Sequence, residues 1–443
     1  MTDARPLRFP GGQRRLRILA IAEAANPEWV SVPLVGWSLV AALRRVADVH
    51  LVTQRRNQAA LQGVGLSPGT DFTAIDNEAL AAPLWRLAER LRGGVGKGWT
   101  TLQALAWPSY VYFEHLLWKA LGPRIRAGEW DVVHRITPLS PTMPSWIARH
   151  LVATGVPFVL GPLNGGTPWP RGFGEARRAE REWLSYVRAA YRFLPGYRAT
   201  RDHASALIIA SRATWAELPT RWHARAIYVP ENGIDPSLFA PHAQRAVADP
   251  LNVAFVGRLV PYKGADMLLD ALAPTLRQGR VRLHVVGDGP ALPDLRARVA
   301  AAQVGPAVTF YGWQTQAQVA ARLASSDLFA FPSIREFGGG VVLEAMACAV
   351  PPLVVDYGGP GELVNEECGY RISLGPRSEI VRQIAATMDR VLAQPEQLRV
   401  KGLAARRHVE RLFTWDEKAQ QMGKIYASVL GQGQKPDFGM PLS

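Results

Sequence analysis

Cysteine is nearly missing from this sequence. Cys348 and Cys368 are the two in 443 residues, and their spacing fits neither a disulfide framework nor a metal-ligand repeat, which favours a reducing compartment. Long apolar runs are missing too. The two most apolar stretches, Trp29 to Leu43 and Val341 to Val355, are too short for a bilayer, and Pro33 and Gly36 or Glu344 and Pro351 interrupt them. No membrane-spanning helix is expected. The opening M-T-D-A-R-P-L-R-F-P has basic residues but no apolar core before a small-residue cleavage site, so no secretory signal is expected. No zinc finger, helix-turn-helix signal or RNA-binding sheet motif stands out, which argues against nucleic acid as partner. No His/Cys/Asp/Glu cluster has metal-ligand spacing, so no metal is expected.

Acidic residues are scarce in the first half. Residues 1–240 carry 29 Lys+Arg against 18 Asp+Glu, and residues 241–443 carry 22 against 19. A basic surplus confined to one half suits an anionic membrane surface or acidic small substrates. The length exceeds what one hydrophobic core usually organises, and the 48% hydrophobic, 20% charged composition is globular, so two domains are expected.

What is present begins with buried strands alternating with helices. R-I-L-A-I-A-E (Arg17 to Glu23), a helix from about Trp37 to Val46 and V-H-L-V-T (Val49 to Thr53) open a doubly wound α/β domain. Ligands there bind beyond the C-terminal ends of the strands, which singles out Asn26 and Gly36 after the first strand. D-V-V-H-R-I-T-P-L-S-P (Asp131 to Pro141) reads as a strand ending at His134 and Arg135, placing His134 among the candidates for chemistry. P-L-N-G-G supplies Asn164 and Gly165 at the same edge. Aromatics lie among Arg and Lys from Leu84 to Arg126, as on an interfacial amphipathic helix or as packing onto the sheet, and again from Arg171 to Arg201, as on an anionic leaflet or on a charged solvated helix. Proline-bounded Pro241 to Pro250 reads as a linker, dividing the chain into 1–240, 241–250, 251–412 and a C-terminal segment 413–443.

The second half restarts the pattern with L-N-V-A-F-V-G-R-L, where Arg258 and Lys263 flank a strand-to-helix turn as two cations suited to a diphosphate. V-V-G-D-G-P adds Gly287 and Gly289 at a second strand end. P-S-I-R-E-F-G-G-G-V-V-L-E-A-M-A then sets Glu336 and Glu344 on either side of Gly338, Gly339 and Gly340, whose bare amides run into a helix. A helix start with unobstructed N–H groups is an anion site. A phosphate-bearing ligand with hydroxyls on both sides, such as a sugar nucleotide, satisfies it.

These three motifs, in this order and spacing, resemble the donor half of family-4 retaining glycosyltransferases of the GT-B fold, over residues 225–430. The resemblance implies two Rossmann-like domains facing a cleft, with a C-terminal helix near Trp415 to Leu430 crossing back to the first. It implies that Arg258 and Lys263 hold the donor diphosphate, that Glu344 holds the ribose, and that Glu336 with the amides of Phe337 to Gly340 holds the transferred sugar. His134 would lie beside the reacting carbon. The loop after the first strand departs from the family, with Gly36 its only glycine, and Ala349 stands where a glycine is common. The implied activity is that of a retaining hexosyltransferase moving a sugar from a nucleotide diphosphate sugar to a glycan or lipid-linked acceptor, without cofactor or metal. Exopolysaccharide, lipopolysaccharide or glycolipid synthesis is the expected setting, in the cytoplasm or peripherally on the inner membrane's cytoplasmic face. The alternatives are another GT-B sugar-nucleotide enzyme, epimerase or phosphorylase-like, and a non-catalytic sugar-nucleotide binding protein.

Overall fold

The computed structural model describes residues 6–7, 14–92, 99–170, 172–174, 191–241 and 247–442, with side chains 87–105 left aside. Arg177, Arg178 and Arg181 of the second basic stretch, and positions 242–246 of the expected linker, lie outside the described residues. The chain forms two compact units. The first draws on Met1–Gly165, Arg177–Glu231 and Trp415–Ser443, the second on Gly166–Ala176 and Asn232–Thr414.

Among the described residues, seven strands build the sheet of the first unit: β1 (Arg17–Ala22), β2 (Asp48–Gln54), β3 (Phe72–Ile75), β4 (Val132–Thr137), β5 (Phe158–Leu163), β6 (Ala206–Ile209) and β7 (Ala226–Tyr228). Every pairing is parallel, in the order β3-β2-β1-β4-β5-β6-β7. Parallel strands covered on both faces read as continuous apolar runs, and β1 is buried at five of its six positions. The helix after β1 spans Val32–Val46, five residues earlier than the apolar pattern suggests. Pro33 in its first turn loses no intrahelical hydrogen bond, so the helix accepts it there, and Arg44 and Arg45 close its C-terminal end.

The two faces of this sheet have separate cores. On one, Leu39 and Leu43 of that helix pack with Ala419, Met422, Ile425 and Tyr426 of the last helix, Trp415–Val429. The C-terminal helix therefore completes the first unit. On the other face, Tyr110, Phe113, Leu117, Leu121 and Ile125 form one stripe of the helix Trp99–Arg126, at the three- and four-residue steps of a helical face. Burial of each such side chain contributes about 1.5–3 kcal/mol. Of the two readings of the first aromatic stretch, packing onto the sheet holds for these residues, whereas Trp85 is exposed. Among the described residues no helix is long and apolar enough to cross a membrane.

The second unit has β8 (Leu251–Val256), β9 (Val281–Val286), β10 (Val308–Gly312), β11 (Leu328–Phe331), β12 (Pro352–Val355) and β13 (Tyr370–Ile372). All are parallel, in the order β10-β9-β8-β11-β12-β13. The order reverses between β8 and β11, as it does between β1 and β4 in the first sheet. In open α/β sheets such a switch point is where ligands bind, outside the carboxyl ends of the strands.

Candidate functional site

The switch point of the second sheet gathers the residues that the sequence marks. After β8 the chain turns through Arg258 and a short helical turn, Pro261–Lys263, into the helix Ala265–Arg277. After β11 it runs through Ser333 to Gly339 into the helix Gly340–Ala347. Two loops 73 residues apart in the sequence are thereby joined: the Lys263 ammonium forms an ion pair with the Glu336 carboxylate, both side chains less than one-fifth exposed. The Lys263 ammonium also lies 5.2 Å from the ring centre of Phe331 and 5.6 Å from that of Tyr262. Burial, with Arg258 and Arg335 adding to it, pushes the pKa of Lys263 down to about 7, while the Glu336 carboxylate it touches favours the cation.

Gly339 precedes the helix with a left-handed φ of 65°. Gly338, Gly339 and Gly340 present their amides at its start, and Phe337 leads into them. The interior of this helix is apolar, with Val342, Leu343, Ala345, Met346 and Ala347 buried. Glu344, one turn inside, is half-buried, and burial raises its pKa to about 7. The Glu336 carbonyl accepts a hydrogen bond from the Gly359 amide at 3.1 Å. Gly359 belongs to the short helix Gly358–Leu363.

Gly287 and Gly289 lie where β9 ends, and their first constraint is steric. A Cβ on Gly287 would stand 2.0 Å from the Gly257 carbonyl oxygen, and one on Gly289 would stand 2.4 Å from that of Leu259. The Leu259 amide donates to the Asp288 carbonyl at 2.9 Å, so the two turns share backbone bonds. The G-D-G-P motif thus fixes the turn that carries Arg258. Replacing Gly287 with alanine is expected to lower the unfolding temperature, since backbone has to move; a calorimetric transition unchanged from wild type would reject this.

In the first unit the candidates are tied into structure. His134 requires correction. β4 continues to Thr137, so His134 lies inside the strand and not at its end. It is fully buried, with Nδ1 2.7 Å from the Tyr426 hydroxyl and Nε2 2.7 Å from the Gly161 carbonyl. A carbonyl only accepts, so Nε2 carries the proton and Nδ1 accepts from Tyr426. Both nitrogens are engaged, and burial lowers the pKa to about 4. The ring thus joins β4 and β5 to the last helix, with both nitrogens hydrogen-bonded.

Asn26 is buried, its amide donating to Asn57 at 3.3 Å and its oxygen accepting from the Glu28 amide at 2.9 Å. Gly36 sits against the Ala24 carbonyl, which a Cβ would approach to 2.3 Å. Asn164 donates to Glu231 at 2.8 Å and accepts from Ser211, and the Gly165 amide donates to the Thr214 hydroxyl. Sequence reasoning missed Thr167, Trp169 and Arg335, which pack around Glu336. No local signal marks Thr167 or Trp169, because they stand some 170 residues from their partners. Among the described residues no cluster of three or more His, Cys, Asp or Glu could hold a metal ion.

Residues 240–408 match the model of a family described as glycosyl transferases group 1. The D-inositol 3-phosphate glycosyltransferase of Gordonia bronchialis is 35% identical over 188 residues, 40% of this chain and 40% of that protein. The match therefore spans about two fifths of that relative's length. The structure of sucrose-phosphate synthase from Thermosynechococcus elongatus resembles this one with a TM-score of 0.62 at 19% identity, over 95% of this chain and 100% of that one. HepE of Anabaena, crystallised with UDP and glucose, gives 0.58 at 16% identity over 94% and 100%. These likenesses establish the α/β fold with two Rossmann-like sheets.

Proposed function

We propose that this chain, a member of the glycosyl transferases group 1 through its residues 240–408, moves a hexosyl group from a nucleotide diphosphate sugar to an acceptor hydroxyl with retention at the anomeric carbon. The observation that carries the reading is the Lys263–Glu336 pair at the switch point, beside the glycine start of the helix Gly340–Ala347. Without ligand the two charges neutralise each other. A donor exchanges that contact for two: the diphosphate takes the ammonium, and sugar hydroxyls take the carboxylate. Arg258 adds a second cation, and the amides of Gly338 to Gly340 add the positive end of a helix dipole. Glu344, a turn further in, accepts from the ribose.

The anomeric carbon–phosphate oxygen bond breaks while the acceptor oxygen bonds to the same face. The acceptor proton passes to an oxygen of the departing diphosphate. No protein base takes part, which agrees with a His134 whose two nitrogens are engaged elsewhere. Preorganised cations and amides aimed at the charge that grows on the leaving group supply the electrostatic stabilisation. The basic surplus of residues 1–240 favours an anionic, glycan or lipid-linked acceptor.

A thermal-shift panel of UDP, GDP and ADP sugars tests the donor. A ligand at a hundred times its dissociation constant stabilises by about 2.7 kcal/mol, and UDP-glucose is the first probe because HepE was crystallised with UDP and glucose. The expected outcome is a shift with one nucleotide series and transfer that persists in EDTA. No shift with any of the three would reject the reading.

A further inference from the structure

β5 leaves the first unit at Gly165, and the next five residues, Gly166 to Pro170, pack as part of the second unit against both loops of the Lys263–Glu336 pair. The Thr167 hydroxyl donates to the Glu336 carbonyl at 3.3 Å. Arg335 donates back to the Thr167 carbonyl at 3.4 Å, and its guanidinium lies 4.8 Å from the Trp169 ring centre and 5.1 Å from that of Phe337. The residues on either side of Glu336 are thus gripped from one side. Trp169 also meets Tyr262, the neighbour of Lys263, edge to face at 5.9 Å. The Tyr357 hydroxyl donates to the Pro168 carbonyl at 2.8 Å. Closeness of fit is visible at Gly358, where a Cβ would stand 2.3 Å from the Glu336 carbonyl oxygen and 2.9 Å from the Thr167 hydroxyl. At Gly166 a Cβ would stand 2.7 Å from the Phe337 ring.

We infer that the strap Gly166–Pro170 is a positioning element that sets the Lys263–Glu336 pair, with Thr167 and Trp169 as its acting residues. The two sides of the pair come from separate loops, and the strap is a segment that touches the residue before Lys263 and both residues flanking Glu336. Trp169 acts through its ring: its indole N–H is buried and has no hydrogen-bond partner among the described residues. Phenylalanine should therefore replace it, whereas alanine should not. A role in setting the catalytic geometry rests on the transferase reading; the mechanical coupling to Lys263 does not.

The test uses the full-length, ligand-free chain and the variants Trp169→Ala, Trp169→Phe and Thr167→Val. Acylation of lysines by an N-hydroxysuccinimide ester, followed site by site by mass spectrometry, should run several-fold faster at Lys263 in Trp169→Ala, with the other lysines unchanged. Trp169→Phe should label like wild type, and Thr167→Val, the milder lesion if Trp169→Ala does not fold, should lie between. With an accepted donor, Trp169→Ala should lower kcat about 10- to 100-fold, as misplacement by about an ångström does, while donor KM moves little. Lys263 labelling that stays at the wild-type rate in folded Trp169→Ala and Thr167→Val overturns the strap. So does a raised KM with unchanged kcat. Faster labelling in a protein that turns over none of the donors leaves the strap standing and overturns the transferase reading.

Discussion

Lys263→Ala should lower kcat/KM for the donor by about 100- to 1,000-fold, the usual cost of removing one preorganised donor to a developing negative charge, while the protein stays folded. The side chain reaches into the switch point, and its polar contact there is the Glu336 carboxylate, so the variant removes the charge along with the stem's packing beside Phe331 and Tyr262. It also leaves Glu336 as an uncompensated carboxylate facing the diphosphate. Lys263→Ala combined with Glu336→Gln should therefore be less impaired than the product of the two single losses, the non-additivity expected of groups in contact. The pH dependence carries a sign. With a pKa near 7, Lys263 is charged below neutrality and loses its proton above it. Donor KM should rise as the pH climbs through about 7, and Lys263→Arg, which keeps its charge, should flatten that rise. Steady-state kinetics between pH 6 and 9 measure both effects. Wild-type turnover by Lys263→Ala would remove the diphosphate from this site.

Chemistry is legible in a sequence where it is local. Arg258 and Lys263 stand at one turn, and Glu336, the three glycines and Glu344 stand in one loop and helix start. Each group reads as an anion site by itself, and the topology then places both at the β8/β11 switch point. The glycines of G-D-G-P, at a strand end, read as a nucleotide contact, yet each has a steric reason to be glycine that belongs to the fold of the turn. The strap was not legible: its contacts span 93 to 191 positions, and G-T-P-W-P carries no periodicity that points to Glu336 or Tyr262. In the first unit the error was one of strand length. A buried polar residue reads as a strand end, but β4 runs three residues beyond His134, because the Tyr426 hydroxyl and the Gly161 carbonyl satisfy the ring inside the core. Neither partner could be inferred locally, since Tyr426 is 292 positions away.

That placement makes His134 a source of acid sensitivity. In the unfolded chain a histidine takes up a proton below about pH 6.5, whereas the folded protein withholds it until about pH 4 because the ring is buried and its Nδ1 lone pair accepts from Tyr426. The folded-state pKa is depressed, so this group's contribution to stability is complete above about pH 6.5 and is lost as the pH falls toward 4. At about 1.4 kcal/mol per pKa unit the loss approaches about 3 kcal/mol. Calorimetry between pH 7 and pH 4 should show the unfolding temperature of the first unit falling through this window. His134→Leu should start lower, since the Tyr426 hydroxyl and the Gly161 carbonyl are left without their partner at a cost of about 1–3 kcal/mol each, and should fall less steeply with acid. Tyr426→Phe separates the two effects: it leaves a titratable ring without its donor, so the variant is less stable at pH 7 yet still acid-sensitive. Turnover measured well below the transition temperature should be retained in Tyr426→Phe, as expected of a group that holds the last helix to the sheet and touches no substrate. A catalytic collapse in Tyr426→Phe with an unchanged unfolding temperature would return His134 to the chemistry.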